Sequence, residues 1–152
     1  MIKRIMFSRR KIILVLLIIG VAIQFYRPNK SIVKPTTTDD FLLTEKAPKV
    51  ISSLFKNCCY NCHSNTTNYF WYDHIAPASW FVDNHIKEAK EHLNFSTWAT
   101  LNNRDKAGII SEIAVNITEN KMPLPSYTMI HSDAKLSEED KQQILNWLYT
   151  VE

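Results

Sequence analysis

Glycine is scarce in this chain: Gly20 and Gly108 are the only two in 152 residues. Sheet proteins use glycine at tight turns, so the shortage argues for helices. Cysteine is confined as well as rare, since Cys58, Cys59 and Cys62 are the whole complement. Disulfide frameworks spread their cysteines along the chain, which excludes one here. Acid is absent from residues 1–29, which hold Lys3, Arg4, Arg9, Arg10, Lys11 and Arg27. The other 12 basic and all 15 acidic residues leave positions 30–152 at a net −3, hidden beneath an overall +3. No basic patch is interleaved with aromatics, which argues against nucleic acid as a partner. A Ser/His/Asp set, a phosphate-cradling glycine loop and a paired-carboxylate arrangement are also missing, so no catalytic residue is assigned.

What is present begins with a basic leader, Met1 to Lys11, followed by an apolar run, Ile12 to Phe25, closed by Arg27 and Pro28. This is the layout of an export signal, residues 1–28. As a helix the run would measure only about 21–23 Å against a hydrocarbon core of roughly 30 Å. No small-x-small cleavage site follows it, and Tyr26 and Arg27 suit an interface. The segment therefore reads as an uncleaved anchor, with a cleaved signal peptide as the alternative. Either fate places the remainder outside the bacterial cytoplasmic membrane, single-pass with a periplasmic domain or free in the periplasm. Residues 29–40 are polar and aperiodic and read as a tether, leaving 41–152 as the domain.

Helical spacing recurs through that domain. Val50, Ile51, Leu54, Phe55 and Cys58 follow Pro48, which suits a first helical turn. Pro77 opens a second helix, with an expected inward stripe of Ala78, Phe81, Val82, His85, Ile86 and Ala89. Residues 64–75 read as loop. Ser96 is a candidate cap for a stretch holding Trp98 and Leu101. Ala107, Ile110, Ile113, Ala114 and Ile117 form a further stripe ending near Asn120. Ser137 to Asp140 fits a capping box for a last helix reaching about Val151. The fold expected is all-α: a small helical domain of four or five helices, preceded by an N-terminal membrane segment.

The first helix delivers Cys59-Tyr60-Asn61-Cys62-His63. Cys-x-x-Cys-His is the attachment sequence for c-type haem. Two thiols three positions apart reach the two vinyl groups of one porphyrin, and the adjacent imidazole meets the iron. The expectation is one covalent haem c per chain, held by Cys59 and Cys62 with His63 as an iron ligand. A structural zinc site would need a second pair of ligands at recognisable spacing, and His74, His85, His92 and His131 do not supply one. A redox CxxC would want a βαβ context. Cys58, on the apolar stripe, reads as a small buried hydrophobe. For the second axial position, Met122 in Lys121-Met122-Pro123-Leu124 offers a thioether in a proline-stiffened loop. His85 is the alternative distal ligand, and His131 a weaker one. Trp71, Tyr72, Trp80, Trp98 and Tyr127 are candidates to wall the pocket.

The order of helix, CxxCH, further helices, Met-Pro and a terminal Leu-Ser-Glu-Glu helix resembles class I cytochrome c. Three stretches, CYNCHSNTT (59–67), WYDHIAPASWFVDNHIKEAKEHLNFSTW (71–98) and KMPLPSYTMIHSDAKLS (121–137), resemble the bacterial haem-binding domain family. The resemblance spans about 40–152 and implies a cytochrome c-like domain around one haem, with Cys59 and Cys62 covalently attached, His63 proximal and Met122 distal. The function expected is one-electron transfer to a redox partner protein at the outer face of the membrane, which holds the chain by its N-terminal segment. The alternative is a haem-based enzyme of peroxidase type, or a gas or redox sensor, with a displaceable distal ligand.

Overall fold

The computed structural model describes residues 9–28, 30 and 37–151. Much of the basic leader and of the 29–40 tether lies outside the described residues. Eight α-helices and no strand occur among the described residues. They are α1 (Arg9–Ala22), α2 (Phe41–Thr44), α3 (Lys49–Cys58), α4 (Tyr60–His63), α5 (Ala78–His92), α6 (Asn103–Thr118), α7 (Pro125–Thr128) and α8 (Glu138–Val151). The all-α expectation holds, with more and shorter helices than the four or five counted from periodicity.

The expected N-terminal membrane segment is corrected. Among the described residues no helix is long and apolar enough to cross a membrane. α1 has 14 residues, about 21 Å of helix at 1.5 Å per residue. It ends in a tight turn, Ile23–Phe25, and Tyr26 is extended. That end is held by protein: Gln24 bonds the backbone of Ala76 through both Nε2 (3.0 Å) and Oε1 (2.9 Å). Trp80 Nε1 donates to the Tyr26 carbonyl at 2.8 Å. The single-pass placement in the cytoplasmic membrane falls with the segment.

The chain divides into two compact units. The first, residues 1–30 and 69–84, includes α1, the turn Trp71–His74 and the start of α5. Within it Lys30 Nζ donates to the Asp73 carbonyl at 2.6 Å and lies over the Tyr69 ring. The buried row of α5 starts here with Ser79 and Asp83 and continues to Ile86, while Ala78 and Phe81 face solvent. The expected stripe was therefore rotated on the helix. Periodicity follows apolar residues, and here two polar ones occupy the inner face.

The second unit, residues 31–68 and 85–152, holds the main core. Phe41, on α2, is fully buried. Its ring packs against those of Phe55 (5.4 Å between centroids), Phe95 (5.1 Å), Trp98 (4.6 Å) and Trp147 (5.4 Å). Such offset and edge contacts suit aromatic quadrupoles. Trp98 Nε1 finds Glu45 Oε1 at 2.6 Å, so this indole is satisfied inside the core. Asp40 caps α2 by accepting from Leu42 N at 3.0 Å, and also accepts from the Tyr60 hydroxyl. That bond ties the segment after α3 to the core.

Helix ends follow the sequence closely. Pro48 precedes α3. Asn120 takes φ 57° just past α6, the left-handed conformation asparagine tolerates. Ser137 Oγ accepts from Asp140 N (3.1 Å) while Asp140 Oδ2 accepts from Ser137 N (2.9 Å), completing the box at α8. The stretch Phe95–Thr100 is capped by Asn94, whose side chain accepts from Ser96 N, rather than by Ser96. Ser96 is buried and accepts from Asn65 N instead.

Candidate haem site

The candidate site starts at a break in helix geometry. α3 ends at Cys58, and Cys59 (φ −124°, ψ −42°) interrupts it before α4 begins. The Cys59 carbonyl then accepts from Cys62 N (3.2 Å) and His63 N (2.9 Å), which starts the short new helix. Buried Ser64 closes it by donating to the Tyr60 carbonyl at 2.7 Å. None of the three cysteines is disulfide-bonded.

Cys58, Cys59, Cys62 and His63 all line one cavity of about 520 Å³ in the second unit. That size falls in the range of small-molecule and cofactor pockets, about 300–1,000 Å³. α5 adds His85, Glu88, Ala89 and His92, and α6 adds Ile109, Glu112, Ile113, Asn116 and Ile117. Met122, Pro123, Leu124 and Tyr127 come from the segment between α6 and α8. The structure thus brings the four candidates Cys59, Cys62, His63 and Met122 together, and His85 with them.

His63 is oriented by its neighbour. Its Nδ1 lies 3.1 Å from the Leu93 carbonyl. A carbonyl only accepts, so Nδ1 carries the proton and Nε2 keeps its lone pair. Burial pushes the His63 pKa down, against the upward pull of the Leu93 and Ala89 carbonyls. The ring is therefore a neutral donor, tied through its second nitrogen as ligating histidines are. Burial also pushes the Cys59 thiol up, and the Cys58 thiol to about 11. Both are protonated thiols at neutral pH.

The remaining sequence candidates separate. Of the five aromatics expected to wall the pocket, Tyr127 lines it. Trp98 belongs to the core, and Trp71, Tyr72 and Trp80 fall in the first unit. His74 is exposed, beside Lys30 Nζ at 3.1 Å. His131 packs on the Tyr127 ring at 4.4 Å. Cys58 does pack against the core as expected, but it also faces the cavity. Sequence reasoning missed Phe95, Leu93, Glu88, His92 and Glu112. Glu88 and His92 lie three and seven places after His85, so helical spacing could have found them. The Leu93 carbonyl, a backbone group, leaves no sequence signal.

The sequence model of the family described as the haem-binding domain matches residues 18–150. The chain belongs to the haem-binding domain family. No curated protein and no solved structure was found to match. As a haem-binding domain the chain binds haem, and the cavity wall fits that group: the neutral His63 imidazole, the Met122 thioether and apolar side chains from α5 and α6. No cluster of three or more His, Cys, Asp or Glu suited to a metal ion occurs among the described residues.

Proposed function

We propose that this chain is a monohaem c-type protein that passes single electrons to and from a redox partner protein. In this reading Cys59 and Cys62 hold the haem by thioether bonds. His63 would hold the iron through its imidazole, and Met122, from the segment after α6, would supply the second ligand. The observation that carries it is the convergence of Cys59, Cys62, His63 and Met122 on a single cavity, with His63 Nδ1 tied to Leu93. Held by His63 and Met122, the group would supply one-electron ferrous/ferric chemistry at a potential raised by the thioether.

The chain's own residues supply the rest. The Leu93 carbonyl fixes the imidazole tautomer and makes His63 a better donor. Ile109, Ile113, Ile117 and Phe95 give the cavity an apolar lining, which keeps water from the metal side. A second reading, a haem enzyme or a gas or redox sensor, is favoured by His85, a polar group lining the same cavity.

Optical spectra of the chain, produced with haem-attachment machinery, test the proposal. Electron transfer expects low-spin bands and a ferrous form indifferent to carbon monoxide. Met122→Ala should convert it to a high-spin form that binds carbon monoxide, with His85→Ala unchanged. The reverse pattern favours the second reading, and unchanged ligation in Met122→Ala removes the distal assignment.

A further inference from the structure

Asn61 sits between the two motif cysteines, and its side chain is engaged at both ends. Its Nδ2 donates to the Tyr127 hydroxyl oxygen at 2.7 Å, and its Oδ1 accepts from Asn68 N at 3.1 Å. A backbone N–H only donates, so the Asn68 bond fixes which way the amide points. The bond to Tyr127 joins positions 66 apart in the chain. Tyr127 lies in the segment that carries Met122, and both line the cavity.

That segment is lightly held. At its start, Lys121 N and Met122 N both donate to the Asn116 carbonyl, at 2.9 and 3.1 Å. At its end, the turn Ser132–Ala134 packs on α3. Between them Lys121, Pro125, Ser126, Met129 and Ile130 are exposed, with Met129 at 86%. A segment with so little buried apolar surface opens locally at low free energy, so one good hydrogen bond is a large share of what keeps it closed.

We propose that Asn61 and Tyr127 form a latch that holds the Met122-bearing segment against the attachment turn and sets how readily the distal position opens. They are positioning residues, acting through Met122, and the inference rests on the ligand reading above. The amide donates to the phenol oxygen, which leaves the hydroxyl hydrogen available. Asn61→Asp keeps a latch because that hydrogen then bonds the carboxylate.

The haem-loaded full chain tests this with two readouts. One is amide hydrogen exchange by mass spectrometry, and the other is carbon monoxide binding to the ferrous form. Asn61→Leu and Tyr127→Phe are each expected to raise both exchange over 122–131 and the carbon monoxide-accessible fraction by about fivefold, the loss of one net hydrogen bond. The double variant should be no worse than either single one. Asn61→Asp should stay near wild type. Unchanged exchange, or a rise shared equally by α8, would overturn the latch. Faster exchange over 122–131 without more carbon monoxide binding would overturn its control of the distal position. Met122→Ala reports separately on the ligand: if its spectrum is unchanged the ligand reading fails, whatever exchange the latch variants show.

Discussion

His63 is where burial, hydrogen bonding and ligand chemistry meet in one side chain. Its pKa in the folded chain lies below the ordinary 6.5 because burial disfavours the imidazolium. The unfolded chain therefore binds the proton more readily. Stability linked to His63 is present above 6.5 and is lost as the pH falls below it toward the folded value. In haem-free chain the urea midpoint should drop between about pH 7.5 and about pH 5.5, and His63→Phe should flatten that drop. At the same scale, the two thiols make a covalent prediction. Cys59→Ser or Cys62→Ser should each leave a single thioether, and the double variant should show no porphyrin mass after denaturation. Two bonds surviving in Cys59→Ser would assign one of them to Cys58, which faces the same cavity.

Helix ends were largely legible in the residues, because capping is local chemistry. Ser137 and Asp140 exchange hydrogen bonds across three positions, a distance any reader of the chain can count. Ser137 holds the Asp140 carboxyl below its usual range. Ser137→Ala should lower stability by about 1 kcal/mol, read as a shifted denaturant midpoint with an unchanged slope. Pro48 and Asn120 were legible for the same reason. The cap at Asn94 was not: Ser96 was expected there, yet its hydroxyl is drawn to Asn65 N, a partner 31 positions away. The inner face of α5 was misread likewise, since Ser79 and Asp83 lie inward and Phe81 outward. Spacing shows which residues share a face, but only a neighbour decides which face is covered.

At the scale of the molecule, the aromatic cluster around Phe41 and the cavity beside it share residues. Phe95 packs on Phe41 and lies 6.1 Å from the His63 ring. Phe41→Ala should destabilise the fold by about 3–5 kcal/mol in chemical denaturation, and should weaken haem retention by loosening that shared wall. The chain with haem attached should melt well above the Cys59→Ser/Cys62→Ser variant produced without it, because the group covers apolar surface lined by Ile109, Ile113 and Ile117. The residues by themselves determined the helical class and the helix ends at Pro48, Asn120 and Ser137, which rest on contacts within a few positions. Tertiary structure alone decided that Gln24 bonds Ala76, that Leu93 orients His63, and that Asn61 meets Tyr127. Those contacts join positions 30 to 66 apart, and no local pattern in a chain records which distant groups its folding brings within hydrogen-bond reach.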